Sequence, residues 1–439
     1  MFYLDREAEL TTDLLFRIIN EFQNSVFPKL KRYGDYYNGK QDILYKSYAD
    51  ESKACNRVVT NYCRNIANSY AGYLAAPNHI DYSCDYDIEE IMEVLRFNDY
   101  QTEDAHFLLN ALIWGCAYEL MYTNSEGKVG FKLINPEQAF AIYDTTLEEN
   151  LLYFVRFYEK SQWEANNQWC VDVYTSNEIK HYEMLGPQGV PVFVDSEPHY
   201  FGRVPANVFY LENEESIFAC IMSLQDAANE LLSDEVDDYA AFCDAYLALT
   251  GCELDSEDVA MMRQNRILLL PEGGSAQWLT KNASDAQIEN ILNRIHSSIY
   301  RIAQCPDFSA ESFVSGVSSG IAIRYRLCGM ENKAVIIEAA MRKALLNRLD
   351  IICSIASMMG SESKLDDIKI TFTRNIPSDN ADLVNLVNAL QGVVSEQTLL
   401  GLIPFVDDAA IEIEKLNRER QERMNVFSFS QDESAAVNE

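Results

Sequence analysis

The residues that most resemble a catalytic motif are Gly316, Ser318 and Gly320, which match the pattern G-x-S-x-G. In hydrolases this pattern is a nucleophile elbow, where a serine on a tight turn before a helix attacks an acyl group. A helical pattern follows here too, but the hydrolase order needs a histidine after the serine, and the last histidine is His296. We therefore favour a flexible loop whose glycines serve conformational freedom. An intracellular serine hydrolase that uses the Gly316–Gly320 turn stays open as an alternative.

Other side-chain chemistries find little support in the sequence. It contains no phosphate-binding loop, no H-E-x-x-H zinc motif and no dinucleotide fingerprint. None of its 11 cysteines forms a C-x-x-C pair, and its five histidines are not spaced as zinc ligands are. Carboxylates are numerous, but nothing marks one pair among the 68 acidic residues as an acid and base. The sequence therefore predicts no catalytic residue, no metal site and no cofactor.

A strongly acidic stretch runs from Leu211 to Asp244 and holds ten carboxylates without any lysine or arginine. Helical spacing places its apolar residues on one face and a stripe of carboxylates on the opposite face. This acidic stripe consists of Asp226, Glu230, Asp234 and Asp237. It can be an ordinary solvated face, but it also suits an acidic wall that faces a partner or a passage.

The overall charge limits the partners of the chain. A formal net charge of -33 and a pI near 4.5 argue against a tight grip on phosphate backbones, which needs clustered lysine and arginine. An acidic scaffold that binds a basic partner is therefore a further alternative. The N-terminus is acidic where a secretory signal is basic, and no run of 18 apolar residues exists. These features predict a cytosolic protein without a membrane partner.

The elements that must position these residues follow from periodicity. The length of 439 residues predicts two to four lobes. Apolar spacing predicts a helix at 12–31, broken near Pro28, and a second helix at 55–74. Between 119 and 209, short aromatic and β-branched runs alternate with turns, which predicts an antiparallel sheet. The acidic stretch follows directly after this sheet.

The second half of the chain reads as a small module followed by helices. A compact piece at 245–281 has strand-like runs, AYLAL and RILLL, around a short helix. A Ser284-capped helix is predicted at 284–304, and a long helix at 321–359 carries a net charge of +3. The strand IKITFTR precedes further helices, and the Ser-, Asp- and Glu-rich end is predicted to be disordered. Together these patterns give an α+β fold.

Five blocks follow one another along nearly the whole chain, and their order is more specific than any one of them. They are YYNGKQDIL, NRVVTNYCRNIANSYAGYLAAPNHIDY, GCAYELMYTNSEGKVGFKLINPEQAFAIYD, SGVSSGIAIRYRL and NIPSDNADLVNLVNALQGVVSEQTLLGLIPFVDDAAIEIEKLNRE. In this order the chain resembles the portal, or head–tail connector, proteins of long-tailed double-stranded DNA phages and prophages.

The resemblance implies a protein that works by assembly, geometry and electrostatics. Portal proteins are rings, typically of twelve subunits, that sit at one capsid vertex, admit DNA during packaging, dock the terminase motor and later hold the tail adaptor. The implied partners are other copies of the chain, double-stranded DNA passing without sequence specificity, the terminase large subunit, the head–tail adaptor, and the major capsid and scaffolding proteins. The implied location is the portal vertex of the virion, after assembly in the cytoplasm of the bacterial host.

The resemblance also implies a portal architecture with an α/β wing, a two-helix stem, a small α/β clip, a long kinked helix and a helical crown. The implied segments are 1–210 for the first part of the wing, 211–242 and 284–304 for the stem helices, 243–283 for the clip, 305–320 for the tunnel loop, 321–375 for the long helix and the rest of the wing, 376–425 for the crown, and 426–439 for a disordered tail.

The candidate site residues belong to the tunnel loop and the stem. In the tunnel loop, small and polar residues could touch phosphate without strong binding: Ser309, Ser312, Ser315, Gly316, Ser318 and Ser319. Copies of the acidic stripe could build a channel wall that repels DNA. Between neighbouring stems, by contrast, those carboxylates would need Arg294 or Arg301 of the adjacent copy to counter them.

Overall fold

The computed structural model describes residues 1–48, 54–76, 78–84, 88–161, 168–243, 246–250, 275–279, 285–308, 320–358, 368–375, 388–401, 412–413 and 415–418. The chain divides into two compact units. The first comprises Met1–Asp307 and Leu327–Asn375, and the second comprises Phe308–Arg326 and Ile376–Glu439.

The first unit opens with two helices joined by one π-helical turn. Helix α1 spans Thr12–Glu21, the π-helical turn spans Phe22–Val26, and α2 spans Phe27–Tyr37. Thr11 caps α1 by accepting a hydrogen bond from the third residue of the helix. Pro28 lies in the first turn of α2, where its missing N–H has no helical partner to lose. The helical run continues from Thr12 to Tyr37 through the π-helical turn, so the predicted break at Pro28 is not observed.

Helix α3 spans Tyr62–Leu74, so the prediction of a helix from residue 55 was wrong for its first part. Residues 54–61 are not helical. The side chain of Asn61 caps α3 by accepting a hydrogen bond of 3.1 Å from the backbone of Arg64. The apolar spacing before Asn61 resembled a helix, but backbone N–H groups of this stretch bind polar side chains of another helix instead.

Two further helices lead into the sheets: α4 spans Glu89–Phe97 and α5 spans Tyr100–Trp114. Helix α5 ends at Gly115, whose φ of +79° is strained for any residue with a Cβ. A Cβ at this position would also lie 2.6 Å from the backbone of Glu214. The end of α5 and the segment after the sheets are thus in direct backbone contact.

The described strands between residues 116 and 210, together with β1, form two sheets rather than the one antiparallel sheet that the sequence predicted for this region. The larger sheet has the strand order β1-β5-β6-β7-β8-β9 and the smaller has β10-β3-β4. The strands are β1 Phe2–Leu4, β3 Cys116–Thr123, β4 Val129–Ile134, β5 Ala139–Asp144, β6 Leu151–Glu159, β7 Gln168–Tyr174, β8 Glu178–Leu185, β9 Val192–Pro198 and β10 Ala206–Tyr210. All pairs are antiparallel except β1 with β5, which is parallel. Local sequence patterns could not predict the smaller sheet, because its strand β10 pairs with β3, which lies far away in the sequence.

The main core lies where α1 and the π-helical turn pack on the larger sheet. Phe22 is buried, and its ring lies 5.2 Å from that of Phe140 on β5 and 5.4 Å from that of Phe157 on β6. Burying one such side chain contributes about 1.5–3 kcal/mol, and each aromatic pair adds about 0.5–1.5 kcal/mol. Leu15, Ile18 and Ile19 of α1 extend the same contact.

The remaining main elements that the structure describes in the first unit are two pairs of strands and three long helices. Strand β2 (Ile80–Ser83) pairs with β13 (Lys369–Phe372), and β11 (Tyr246–Thr250) pairs with β12 (Ser275–Leu279). Helix α6 spans Met222–Cys243, α7 spans Asp285–Ala303, and the long helix α8 spans Gly320–Met358, with its first residues in the second unit. The predicted helices at 284–304 and 321–359 are confirmed as helices.

Helix α6 begins later than the predicted residue 211. Glu212–Glu214 and Ala219–Ile221 form short 3₁₀ helices before it. Asn213 and Glu214 have positive φ angles of 58° and 51°, which stop an α-helix there. The predicted strand RILLL and the short helix near residue 256 lie outside the described residues, as does Ser284.

In the second unit, the structure describes the start of α8 and the short helix α9, Glu396–Gly401. The hydroxyl of Ser395 accepts a hydrogen bond of 3.2 Å from the backbone of Thr398 and so caps α9. Leu399 is buried. Most of the predicted crown and the C-terminal tail lie outside the described residues.

Candidate functional site

Helices α6 and α7 carry half of the candidate residues, and they pack against each other. The antiparallel pair β11–β12 lies between them in the chain. The position of each candidate side chain on α6 or α7 decides what it can contact.

Asp226, the first carboxylate of the acidic stripe, lies against α2. The hydroxyl of Tyr36 donates a hydrogen bond of 2.6 Å to it, and the guanidinium of Arg32 lies 3.8 Å away. Burial raises the pKa of the Asp226 carboxyl, while the hydrogen bond from Tyr36 opposes that rise. Asp226 therefore belongs to the contact between α2 and α6.

Asp234 is bound by the segment that follows α2. Its carboxylate lies 2.5 Å from the ammonium group of Lys46 and accepts a hydrogen bond of 3.2 Å from Tyr48. Burial lowers the pKa of Lys46, but the hydrogen bond to Asp234 and the other interactions outweigh burial and raise it. Glu230, by contrast, is exposed and makes no hydrogen bond or ion pair within the described part of the chain.

Four side chains of α6, each four residues after the last, bind the non-helical stretch before α3. They form the polar ladder: Gln225, Asn229, Ser233 and Asp237. They accept hydrogen bonds of 2.9, 2.9, 2.9 and 2.7 Å from the backbone N–H groups of Tyr62, Thr60, Val58 and Asn56, respectively. The first three ladder side chains are fully buried. The last one, Asp237, is the fourth residue of the acidic stripe.

The ladder works because two backbone periods match. Four residues of an α-helix rise about 6 Å, and two residues of an extended chain span about 6.7 Å. The stretch runs antiparallel to α6, and every second backbone N–H of the stretch therefore meets the next turn of the helix. Sequence reasoning missed this contact; the signal was a run of uncharged polar residues four apart inside an acidic helix.

Arg294 and Arg301 on α7 are exposed. Neither side chain makes a hydrogen bond or ion pair with any other residue that the structure describes. They are seven residues apart, so they lie on one side of α7. Two free guanidinium groups in a chain of net charge -33 suit acidic partners on another molecule.

All six candidate tunnel-loop residues, from Ser309 to Ser319, lie outside the described residues. The described residues just before the loop make contacts with other parts of the chain. The hydroxyl of Tyr70 donates a hydrogen bond of 3.0 Å to the carbonyl of Ala303, the last residue of α7. The carboxylate of Asp307 lies 3.4 Å from Nε2 of His296, so two contacts fix the chain before the loop.

A buried ionic cluster joins α8 to α5 and β3, and sequence analysis did not single it out. Arg348 is fully buried between Asp104 and Glu119, which are also buried. Its guanidinium donates hydrogen bonds of 2.9 and 2.6 Å to Glu119 and lies 4.7 Å from the ring centre of Phe131. Burial raises the pKa of Glu119, although the guanidinium of Arg348 opposes this. The cluster fixes the long helix, because a lone charge here would be costly.

Among the residues that the structure describes, no group of three or more histidine, cysteine, aspartate or glutamate side chains could hold a metal ion. Within the same residues, no helix is long and apolar enough to cross a membrane. Ser318, the candidate nucleophile of the alternative hydrolase, lies outside the described residues.

Comparison with known proteins gives one consistent result. A family model described as "Phage portal protein, SPP1 Gp6-like" matches residues 16–425. The portal protein of Bacillus phage SPP1 is 22% identical over 457 aligned positions, which cover 97% of this chain and 88% of that protein. The portal protein of Clostridium phage phiCD119 is 22% identical over 422 positions, covering 88% of this chain and 91% of that protein.

Proposed function

The chain belongs to the phage portal family typified by Gp6 of phage SPP1, and we propose from this membership that its copies close into a ring at one capsid vertex through which DNA enters and leaves. The observation that carries the proposal is the match over nearly the whole chain. Portal proteins are structural components of the virion, and this chain contributes an α+β subunit to such a structure.

The finer parts of the proposal concern partners. We propose a ring of about twelve copies, with the number taken from the family's usual assembly. The terminase large subunit would supply the energy for packaging, and the head–tail adaptor would bind after packaging. Major capsid and scaffolding proteins would surround the ring, which would assemble in the host cytoplasm before it becomes part of the virion. In this proposal the chain itself catalyses no reaction.

We propose for the segments the roles that the family resemblance implies. Helices α6 and α7 are the proposed stem, and the β11–β12 pair belongs to the proposed clip. Support comes from the packing of α6 on α7 with the strand pair between them in the chain. The tunnel loop, 305–320, and the crown, 376–425, remain proposals from family membership, and so does DNA contact by Ser309, Ser312, Ser315, Gly316, Ser318 and Ser319.

We propose that the acidic stripe lines or borders the channel and keeps DNA from adhering. Screening limits this repulsion to about 8 Å at physiological salt, so only carboxylates close to the DNA would contribute. Asp226, Asp234 and Asp237 have partners within the chain, whereas Glu230 is exposed and would present its charge directly outward. Arg294 and Arg301 would contact carboxylates of the neighbouring copy.

The proposal is tested by removing the chain from phage assembly. Heads produced without it should contain no packaged DNA, and supplying it in trans should restore DNA-filled heads. Measuring DNA per purified particle separates the outcomes. Heads that fill normally without the chain would contradict the proposal.

A further inference from the structure

A groove lies between the long helix α8 and the segment 211–220 that precedes α6. Its volume is about 200 Å³, and its walls include the apolar side chains of Leu211, Ile217 and Ile337. Ile336, on its edge, is 55% exposed, although a large apolar side chain usually gains by burial. The groove therefore has the character of an unfilled apolar contact.

The rim of this groove carries more carboxylates than cations. Glu212, Glu215 and Lys333 line it. The ammonium of Lys333 donates a hydrogen bond of 3.4 Å to the carbonyl of Ile217, and Glu215 lies 3.8 Å from Lys29. The carboxylate of Glu212 is exposed and makes no hydrogen bond or ion pair within the described ranges of the chain. An occupant should thus present an apolar side chain beside a cation.

The outer face of α7 has this composition. Ile291 and Ile302 are 46% and 45% exposed, and the free guanidinium groups of Arg294 and Arg301 lie beside them. This face therefore offers apolar side chains next to cations. It is complementary in charge and polarity to the groove.

Ring symmetry selects which end of α7 can reach the groove. Rotation about the ring axis keeps each residue at its height, so in the proposed ring, with the stem helices along that axis, two surfaces that meet lie at the same level. Helix α7 packs against Ala219–Ile221 within one chain, and that short helix adjoins the groove. Tyr70, which hydrogen-bonds the carbonyl of Ala303 at the C-terminal end of α7, is also a neighbour of Cys220. Ile302 and Arg301 are at this level, whereas Ile291 is about 16 Å farther along α7.

We propose that Ile302 of one copy fills the groove of the next copy and that Arg301 pairs there with Glu212. This inference rests on the proposed ring, and it names one contact by which neighbouring copies would recognise each other. The contact joins two different surfaces, as a closed cyclic ring requires. Arginine is also among the residues enriched in energetically important contacts.

The groove contains its own reporter, because Cys220 lines it and is exposed. In the Ile302→Cys variant, oxidation with copper phenanthroline should join the introduced thiol of one copy to Cys220 of the next by a disulfide. Denaturing gels without reductant should then show a ladder of covalent multimers, which reductant removes. Ile291→Cys is the matched control, since Ile291 is equally exposed on the same face but should not reach Cys220.

A second variant assigns the cross-link to the intended pair. Ile302→Cys combined with Cys220→Ser should give no ladder, because the thiol that the cross-link needs in the groove is then missing. Multimers that persist without Cys220, or intact rings of Ile302→Cys that give no ladder, would overturn the proposed contact.

The ion pair has an independent test by charge exchange. Arg301→Glu and Glu212→Arg should each weaken association on the order of tenfold per interface, and the double variant should recover most of that loss. Assembly is measured by light scattering across protein concentrations. Rings that form normally in both single variants and give no Ile302→Cys ladder would overturn the inference alone. If the unaltered chain formed no ring, the proposed function itself would fail.

Discussion

The side-chain oxygen of Asn229 accepts a hydrogen bond of 2.9 Å from the backbone N–H of Thr60, 169 residues earlier in the chain. The same oxygen accepts from the hydroxyl of Thr60 at 2.9 Å, and Asn229 is fully buried. One helix side chain thus satisfies a backbone group of a stretch without helix or sheet partners of its own. The polar ladder of α6 repeats this relationship at each turn, so the stretch before α3 and the helix depend on each other.

Replacing Asn229 with Leu should loosen the stretch 54–61. The apolar side chain leaves the N–H of Thr60 buried without an acceptor, which costs about 1–3 kcal/mol of the free energy of unfolding. Urea unfolding measures this cost, and trypsin cleavage after the exposed Arg57 should become faster. Glu230→Leu, one residue later on the exposed side of α6, is the control and should change neither quantity appreciably. Equal behaviour of the two variants would contradict the role of the ladder.

Removing the charge of the acidic stripe should change DNA passage without changing assembly. Asn at positions 226, 230, 234 and 237 keeps a side-chain oxygen as an acceptor for Tyr36 and for the backbone of residue 56. The rings should therefore form, while packaging should change in rate or in its dependence on salt. Packaging that is normal at every salt concentration would end the idea of an acidic wall.

The Arg348 cluster should be among the most sensitive sites for stability. Arg348→Met removes the cation and leaves Asp104 and Glu119 buried together, which should cost about 3–5 kcal/mol. Combining it with Glu119→Gln should recover part of the loss. Lys343→Met, an exposed position on the same helix, should change the free energy of unfolding by less than about 0.5 kcal/mol. A small effect for Arg348→Met would mean that the cluster is not what holds α8.

The contact between α8 and the end of β13 should weaken in acid. Glu331 accepts hydrogen bonds of 2.9 Å from Arg374 and 2.6 Å from Tyr73, and the bond from Arg374 lowers its pKa below the ordinary value of 4.5. A carboxylate with a lowered pKa contributes stability above its unfolded-state pKa, and that contribution is lost as pH falls through the folded-state value. In Glu331→Gln, urea midpoints should therefore fall less as the pH is lowered from about 5 to about 3.

The matched control for this pH dependence is Glu230→Gln, because Glu230 is exposed and without an ion pair among the described residues. Its midpoints should follow those of the unaltered chain at each pH. If Glu331→Gln followed them too, the Arg374 pair would not contribute to acid sensitivity.

Tunnel-loop function has a separate test. Cross-linking residues 309 and 319 within one copy should stall DNA passage and leave the ring whole, because the loop is proposed to touch the sliding DNA. Packaging measured per ring gives the result. Unimpeded passage would place the loop outside the channel.

Local patterns predicted the long helices well and failed where distant groups decide the structure. The helices α7 and α8 follow from continuous apolar periodicity, which needs no knowledge of the rest of the fold. The stretch 54–61 has similar spacing, yet its N–H groups bind α6 rather than its own carbonyls. Such tertiary hydrogen bonds are invisible to a local window.

In the candidate site, too, local features could be predicted and long-range contacts could not. The acidic stripe was predicted from charge and helical spacing, and the two arginines of α7 from the proposed packing of neighbouring stems. The structure places Arg294 and Arg301 on an exposed side of α7. The intrachain partners of Asp226 and Asp234 could not be predicted, since Tyr36 and Lys46 are far away in the sequence. Nor could Arg348, whose partners come from α5 and β3.

The central claim is that copies of this chain close into a ring, and the most direct measurement is the mass and symmetry of the purified full-length protein. Light scattering at moderate salt gives the mass, and averaged electron micrographs give the symmetry. We predict a closed ring of about twelve copies with a central hole. A monomer or dimer of 50.1 kDa chains that persists across salt and protein concentration would contradict the account.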